Sequence, residues 1–399
     1  MSEAVAGVKY RWRVGWEARA LMVLTWMLLA WGLATVHSAS AITAMQTGYG
    51  NFFFVSRQLV GILVGMVFFA IAAKKDAQVW EKLAWPFMIA TIVMLALVIM
   101  PFTESIAPAV HGSRRFLFGR SIQPSEFAKL AVVVWTSMLL VKKGDQMRHL
   151  SKGLLPFLVV IGLLDILVIL EPDLSVAMMY TLVLGIILFA GGVRIGHFVA
   201  LGVFAIPVLW NQIQRLNYVL LRMSSFFTPG SAPEHVGYQL KQSLIAVGSG
   251  QWLGVGFGRG RQQYGFLPFA YDDFIGGTIG EELGFIGLLL LILLFAAYGA
   301  LGFRIAKNAR TPFLEYTAIG ITATTVITAY LHIGVAIGLL PTTGLTLPFI
   351  SYGRSNLVLT LLMTGILVNI GSTREKVHGA DATNPMLGRV GALEPAGRF

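Results

Sequence analysis

The carboxylates of Asp272 and Asp273 lie where a long polar stretch meets an apolar segment that begins at Phe274. A carboxylate at such a boundary remains accessible to water and can act as a general base. The alternative for Asp273 is a helix N-cap, a role for which Asp272 is equally suited. The pair is the first candidate site in the chain.

A second acidic pair, Glu281 and Glu282, follows about two helical turns deeper in the same apolar segment. Ionisable side chains inside a membrane span are costly and therefore suggest a function. A hydrogen-bonded structural pair explains these two glutamates equally well.

A stretch from residue 111 to residue 129 combines cations with a predicted helix start. Pro124 favours the first helical turn, because its missing N–H would be unpaired there in any case. Lys129 follows Glu126 by three residues, so the two side chains can pair on one helix face. We predict that Arg115 and Lys129 bind phosphate, and that Glu126 either lines the same binding site or only pairs with Lys129.

The polar stretch from 213 to 273 contains Arg222, Gln239 and six glycines between residues 248 and 260. These glycines do not form a nucleotide-binding motif, because no Lys-Ser or Lys-Thr pair follows them and no βαβ unit surrounds them. Irregular backbone at membrane depth is tolerated where it lines a polar cavity, and glycine lets the backbone approach a ligand closely. A flexible surface loop is the alternative.

The segment from Gly338 to Asn356 contains two prolines, several glycines and several hydroxyl side chains, among them Ser351. This composition predicts a re-entrant turn. Arg354 places a bulky cation in it directly after Gly353. A cation buried there needs a partner, and the candidates are the nearby acids or the phosphates of a ligand.

The composition indicates that these groups are positioned by a fold that spans a membrane. Hydrophobic residues make up 56% of the chain and charged residues 12%, about half the charged fraction of a soluble domain. The apolar runs are too long for barrel strands, so the predicted fold class is all-α, a polytopic integral membrane protein. With no cysteine in the chain, disulfides and thiol catalysis are excluded.

We predict ten membrane spans, with a large outer loop at 213–273 between the seventh and the eighth. The predicted spans are 19–39, 54–73, 83–101, 124–141, 153–170, 174–191, 195–212, 274–301, 313–340 and 355–371. The tight turn Glu171-Pro172-Asp173 joins the fifth span to the sixth: Pro172 breaks the helix, and Asp173 is well placed to cap the next one. Lys and Arg cluster before the first span and in alternate short loops, which places both termini in the cytoplasm. Residues 1–18 are then a basic cytoplasmic N-terminus, 19–371 a single transmembrane domain, and 372–399 a tail without regular structure.

Several cations on the predicted outer face oppose this insertion bias. They are Arg114, Arg115, Arg120, Lys129, Arg215, Arg222, Lys241, Arg259, Arg261 and Arg354. An anionic ligand at that face explains them, because the planar fork of Arg binds phosphate oxygens bidentately. The alternative is that long outer loops follow the bias only weakly. The net charge of +11 is accounted for by anionic membrane lipid, and nucleic acid is not an expected partner.

Taken together, these segments resemble the SEDS family, the FtsW/RodA/SpoVE polytopic membrane proteins of bacterial cell-wall synthesis. The matching segments are Arg114-Arg115, Gln123-Pro124-Ser125-Glu126, Glu171-Pro172-Asp173-Leu174, Gly237-Tyr238-Gln239, Asp273-Phe274, Gly280 to Gly284, and Leu340-Pro341 through Gly353. They occur in the family's order over nearly the whole chain, and they favour the division branch. At several positions the chain departs from the family pattern, including Phe116, Phe269, Asp272 and Arg354.

The resemblance implies a glycosyltransferase that polymerises lipid II into glycan strands during cell division and releases undecaprenyl pyrophosphate. It implies Asp273 as the catalytic carboxylate, and a substrate site that includes Arg115, Glu126, Lys129, Arg222, Gln239, Ser351 and Arg354. No cofactor is certain; a divalent cation, Mg or Mn, could share the charge of the leaving group, although the sequence contains no dedicated ligand cage.

The implied partners are lipid II, the growing glycan strand, a class B penicillin-binding protein, other divisome proteins and membrane lipid. The implied location is the bacterial inner membrane at the division septum. Two rival functions stay open. One is a lipid II flippase, which the same anion-binding outer cavity would suit. The other is a weakly active scaffold that recruits the penicillin-binding protein.

Overall fold

The computed structural model describes residues 9–108, 114–118, 122–198, 217–227 and 234–377, and α-helices dominate this part of the chain. The helices are α1 (Trp16–Gln46), α2 (Phe53–Lys74), α3 (Val79–Ile99), α4 (Pro124–Lys143), α5 (Leu155–Leu170), α6 (Leu174–Ala190), α7 (Asn217–Phe227), α8 (Glu234–Gly250), α9 (Ile275–Lys307), α10 (Pro312–Ala336) and α11 (Arg354–Ile370). Two short strands, β1 (Lys9–Val14) and β2 (Ser372–Val377), complete the described elements together with short 3₁₀ and π turns.

Nine of the ten predicted spans correspond to apolar helices. Seven described helices are long and apolar enough to cross a membrane, and α6 and α11 are shorter apolar helices. The predicted span at 195–212 lies almost entirely outside the described residues. The predicted outer loop at 213–273 is partly helical, because α7 and α8 lie within it.

Several boundaries differ from the prediction. Helix α1 extends to Gln46 and α9 to Lys307, whereas α10 ends at Ala336 and leaves residues 337–340 non-helical. Gly338 follows with φ +72°, a conformation that glycine adopts at no steric cost and that ends a helix. Hydropathy does not detect these ends because Leu339 and Leu340 continue the apolar run.

Helix α4 is the central element of the bundle. Most of its residues are buried, and it packs against α3, α6 and α10. It begins with Pro124 in the first turn, as predicted, and its start is tied to α11 by a hydrogen bond from the Gln123 N–H to the Ser355 hydroxyl (3.0 Å). The first two turns of α4, with Glu126 and Lys129, are thereby held close to the turn that precedes α11.

Helices α2 and α11 pack closely through glycines. A Cβ at Gly365 of α11 would lie 2.6 Å from the Phe69 carbonyl oxygen of α2. Gly65 faces Leu361 in the same contact. Small residues let membrane helices approach at backbone distance, where dispersion and packing hold them together.

The two termini depart from the predicted domain boundaries. Residues 372–377, predicted as part of an irregular tail, form β2 and pair antiparallel with β1 in the register Lys9↔Val377 to Val14↔Ser372. A hydrogen bond from the Gly15 N–H to the Gly371 carbonyl oxygen (3.2 Å) extends this pairing to the helix ends. Each strand leaves its main-chain groups exposed when alone, and pairing satisfies half of them.

Candidate active site

The main chain around Asp272 and Asp273 is fixed by the turn that precedes α11. Ser351 donates its hydroxyl hydrogen to the Asp272 carbonyl oxygen (2.8 Å), and its Oγ accepts the Leu347 N–H (2.8 Å). The Tyr352 N–H binds the Tyr271 carbonyl oxygen (2.9 Å). The N-cap of α9 is Phe274, without a side-chain cap. The alternative role of Asp273 as a helix N-cap is therefore wrong.

Three aromatic rings pack beside this acidic pair. The Phe54 ring lies 4.6 Å from that of Tyr271 and 5.2 Å from that of Tyr352, between ring centroids. Tyr271 and Tyr352 also contact each other edge to face, at 5.8 Å. Such pairs add to the stability gained from their buried area. They join the start of α2 to the two loops that carry the candidate site.

The pKa of Asp273 reflects a half-buried residue in a mixed field of charges. Desolvation raises this pKa, and the Arg222 guanidinium opposes the rise. Asp173 raises it further, while Arg115 lowers it. Gly344 is next to the carboxyl: a Cβ there would lie 3.8 Å from Asp273 Oδ2. A carboxylate with a raised pKa is a stronger base than one in water, which suits proton abstraction.

The neighbouring carboxyl of Asp272 is in a different environment. Desolvation raises its pKa well above the ordinary value, and the charges of Asp273 and Glu126 raise it further. Its Oδ1 atom is buried and has no hydrogen-bond partner among the described residues. The two adjacent carboxyls therefore differ. Arg222 and Arg115 offset the raised pKa of Asp273, whereas the described charges that act on Asp272 are both acidic.

Arg115 organises the turn between α5 and α6. Its Nε donates to the Glu171 carbonyl oxygen (3.0 Å), its Nη2 to the Pro172 carbonyl oxygen (2.6 Å), and its Nη1 lies 3.3 Å from Asp173 Oδ2. Asp173 also caps α6 by accepting the Val176 N–H (3.3 Å), as its position in the sequence predicted. Three of the Arg115 nitrogens thus have protein partners, while 30% of the side chain remains exposed.

Glu126 and Lys129 form an ion pair on α4, with Lys129 Nζ 2.7 Å from Glu126 Oε1. This distance confirms the predicted pairing of the two side chains. Both residues are buried. Tyr180 of α6 donates its hydroxyl hydrogen to the Ser125 carbonyl oxygen (2.6 Å) beside them. Lys129 also acts on Asp173 and lowers the pKa of that carboxyl. The pair therefore belongs to the same charge cluster as Arg115.

The remaining predicted site residues, on three different helices, differ in what they contact. Arg222 of α7 donates to the Thr342 carbonyl oxygen (3.4 Å) in the segment next to Asp273. Gln239 is half-buried on α8, and no hydrogen bond joins it to the cluster within the described part of the chain. Arg354 begins α11, and its Cγ lies against α2, 3.4 Å from a Cβ built at Gly61.

Glu281 and Glu282 hold the glycine-rich segment rather than a ligand. Glu281 Oε1 accepts the Arg261 N–H (2.7 Å), Glu281 Oε2 accepts the Gln262 N–H (3.2 Å), and Glu282 accepts the Ser38 hydroxyl of α1. The carbonyls of Glu281 and Glu282 bind the main-chain N–H groups of Val255 and Gly256. The structural alternative for this acidic pair is the correct one.

The glycines at 250, 254 and 260 let this segment lie directly on α9. A Cβ at Gly250 would overlap the Gly280 carbonyl, one at Gly254 would overlap that of Glu282, and one at Gly260 would meet Glu281 Oε2 at 2.8 Å. The close approach predicted for these glycines is thus to a helix of the same chain, not to a ligand.

Over the described ranges, no group of three or more His, Asp or Glu side chains is arranged to hold a metal ion. A Mg or Mn ion that is held partly by the phosphates of a substrate needs only one or two carboxylates. A divalent cation therefore stays a prediction from the sequence.

Sequence reasoning missed Asp173 as a member of the site. It identified this residue only as a helix cap, and the capping is correct. The signal available was the Glu-Pro-Asp turn itself, because two acids on either side of a proline exceed what one cap requires. Only the fold shows that Arg115, 58 positions earlier in the chain, approaches this turn.

The comparisons with known proteins agree with this architecture. A family model described as FtsW/RodA/SpoVE, cell cycle protein, matches residues 19–376. The probable peptidoglycan glycosyltransferase FtsW of Geobacter sulfurreducens is 37% identical over 358 residues, 89% of this chain and 95% of that protein. Stage V sporulation protein E of Bacillus subtilis is 35% identical over 352 residues, 88% and 95% respectively. The chain belongs to the FtsW/RodA/SpoVE family.

Solved structures show the same fold. A chain from a peptidoglycan synthase complex, in a study of how polymerization and crosslinking are coordinated, superposes with a TM-score of 0.72 at 24% identity, over 88% of this chain and 97% of that one. The rod shape determining protein RodA of Thermus thermophilus superposes with a TM-score of 0.63 at 22% identity, over 88% and 95%.

Proposed function

We propose that this protein is a peptidoglycan glycosyltransferase that polymerises lipid II during cell division. The observation that carries the proposal is the position of Asp273, a carboxyl whose raised pKa is moderated by Arg222 and Arg115. A base and the cations for an anionic leaving group thus share one site. The FtsW relatives named as probable peptidoglycan glycosyltransferases support the substrate class.

In the proposed reaction, Asp273 accepts the proton of the acceptor's GlcNAc 4-hydroxyl as that oxygen attacks the anomeric carbon of the donor's MurNAc. The new glycosidic bond forms while the bond to the diphosphate oxygen breaks, and undecaprenyl pyrophosphate leaves with both bonding electrons. A direct displacement inverts the anomeric centre. A positioned general base contributes about 10²–10⁴-fold to the rate.

In this proposal, cationic side chains stabilise the negative charge that develops on the leaving diphosphate. Arg222 and the exposed part of Arg115 are the cations that act on Asp273, so they lie near the reacting centre. Preorganised donors aimed at developing charge stabilise the transition state more than the ground state. Lys129, paired and buried, contributes to the field of the site rather than by direct contact.

We further propose a class B penicillin-binding protein as partner and the bacterial inner membrane at the division septum as location. The likeness to a chain of a peptidoglycan synthase complex supports such a partner, and the membrane helices support a multi-pass location. Growing glycan strand and other divisome proteins complete the proposed partners.

The test is polymerisation of labelled lipid II by the purified protein in detergent, with and without the partner. We expect glycan strands from the wild type and a loss of about 10²–10⁴-fold for Asp273→Asn. Glu104→Gln, which alters an exposed carboxylate paired with Arg114, is the matched control and should polymerise normally. Equal activity of Asp273→Asn and wild type would contradict the assigned base. Transport of lipid II across liposomes without any polymer would favour the flippase.

A further inference from the structure

Two carboxyls in the candidate active site have buried oxygens without partners. Within the described part of the chain, both Oε atoms of Glu171 lack a hydrogen-bond partner, and the residue is 2% exposed. Asp272 Oδ1 is likewise buried and unpartnered. A carboxylate that is removed from water without hydrogen bonds is strongly destabilised, and in proteins such a group takes up a proton instead.

The charges of the groups that act on one another in this cluster balance if these two carboxyls are neutral. The cations are Arg115, Lys129 and Arg222, and the carboxyls are Glu126, Asp173, Asp273, Asp272 and Glu171. Fully ionised, these described groups carry two more negative charges than positive ones. Such a site would repel a diphosphate, since like charges at short range in a low-dielectric environment are costly.

We propose that Asp272 and Glu171 carry protons when the site binds its diphosphate lipid, and that their ionisation weakens this binding. The inference rests on the proposed function and adds the protonation state in which the site accepts an anionic substrate. Asp272 is faced by Asp273 and by Glu126 of α4, while Glu171 is faced by Asp173 and Arg115. Two acids therefore face Asp272, whereas Glu171 has an acid and a cation.

The pKa values of both groups agree with this arrangement. Burial, reinforced by Asp173 and opposed by Arg115, raises the pKa of Glu171 to about 9. Burial and the charge of Asp273 raise that of Asp272 well above its usual range. A group with a raised pKa is protonated below that pKa. With its pKa of about 9, Glu171 is protonated at neutral pH, and the affinity for the diphosphate is lost as the pH rises through that value.

The experiment measures binding of undecaprenyl pyrophosphate to the purified full-length protein between about pH 7 and pH 9.5, a range that spans the ionisation of Glu171. We expect the wild-type affinity to fall by about tenfold or more, since each pKa unit by which the ligand stabilises the proton is tenfold in affinity. Glu171→Gln and Asp272→Asn should each reduce this pH dependence, and the double variant should flatten it.

Glu104→Gln is the control for removal of a carboxylate at the outer face, and it should keep the wild-type pH dependence. The ionisation of the ligand is common to all variants and cancels in the comparison. An unchanged pH dependence in the double variant would overturn the proposal, whether or not the protein polymerises lipid II.

Infrared spectroscopy provides a second readout, which detects protonated carboxyls directly and does not depend on a binding measurement. Protonated carboxylic acids absorb apart from carboxylates, so we expect their C=O bands at neutral pH, reduced in Glu171→Gln and in Asp272→Asn. Spectra of the wild type without any protonated carboxyl band at neutral pH would contradict the proposal directly.

Discussion

Ser351 acts on the candidate base through the main chain. Its hydroxyl accepts one main-chain N–H and donates to the carbonyl of Asp272, so both of its bonding functions are used inside the protein. The sequence predicted a substrate contact for Ser351, and the structure gives it main-chain partners. Its role in the proposed reaction is therefore to position the loop that carries Asp273.

Replacing Ser351 with Ala should lower kcat more than it raises KM, because the base loses its position and the substrate-binding cations remain. The unpaired Asp272 carbonyl and Leu347 N–H should also reduce the free energy of unfolding by roughly 1–3 kcal/mol. Polymerisation kinetics and thermal unfolding of the purified variant measure both effects. Ser351→Thr should restore part of the loss, and Ser249→Ala, which removes one local bond on α8, is the matched control. A change in KM alone would contradict the positioning role.

Arg115 is the second residue whose role depends on geometry. Its guanidinium contacts two carbonyls and one carboxylate of the same turn, a pattern that the single charge of lysine cannot reproduce. We expect Arg115→Lys to lower kcat/KM by about 10- to 100-fold, equivalent to one or two lost charge-assisted hydrogen bonds.

The matched control is Arg114→Lys, which keeps the charge of the neighbouring half-buried arginine that pairs with the exposed Glu104. Steady-state polymerisation of both variants decides the matter. If Arg115→Lys retained the wild-type kcat/KM, a single positive charge at this position would be sufficient for activity. The several hydrogen bonds of the Arg115 guanidinium to the turn would then not be required.

What the sequence predicted at this scale follows from local chemistry. The pairing of Lys129 with Glu126 and the cap at Asp173 depend on residues three positions apart, and both are confirmed. The approach of Arg115 to Asp173, or of Glu281 to the Arg261 N–H, depends on long-range packing. The positions of Lys and Arg along the chain predict an excess of positive charge at one face. They do not predict which charged side chains contact each other.

At the scale of elements, the glycine-rich segment after α8 behaves as a layer packed on α9. Gly284 interrupts the helical conformation of α9 with φ +66°, and a Cβ there would meet the Trp252 main chain at 2.7 Å. The sequence predicted close approach from the glycine content, but not the surface approached. Glycines provide small volume and backbone freedom, which allow the segment to approach either a helix or a ligand closely. The pattern therefore does not say which of the two is approached.

Gly254→Ala should destabilise this layer strongly, because the added methyl overlaps the Glu282 carbonyl and the residue has φ +80°. Gly258→Ala is matched in backbone conformation, with φ +73°, but has no atom within 4 Å of the added Cβ. Comparing their melting temperatures separates backbone strain from steric overlap. We expect Gly258→Ala to cost about 1–2 kcal/mol and Gly254→Ala more. Equal losses would show that the segment does not pack on α9 in the membrane.

On the scale of the whole molecule, hydropathy predicted the helical fold and nearly all spans, because about 20 apolar residues per crossing is a requirement of the bilayer. It did not predict β1 and β2, which are short, polar and far apart in sequence. Their pairing brings the start of α1 and the end of α11 to one face. Arg310, between α9 and α10, donates to the Ser372 carbonyl oxygen at the same face. Two of the cationic segments on which the predicted orientation rests, the chain before α1 and the α9–α10 junction, thus meet there.

We therefore expect both termini and the α9–α10 junction on the cytoplasmic side, and the α1–α2 loop outside. Since the chain has no cysteine, single cysteines can be labelled without background. Gly50→Cys and Asn308→Cys are suitable because both positions are exposed, and a Cβ at Gly50 meets no atom within 4 Å. A membrane-impermeant maleimide should label Gly50→Cys in intact cells and Asn308→Cys only after permeabilisation. Labelling of Asn308→Cys in intact cells would place the cationic junction outside, and the candidate active site would then face the cytoplasm, away from the growing wall.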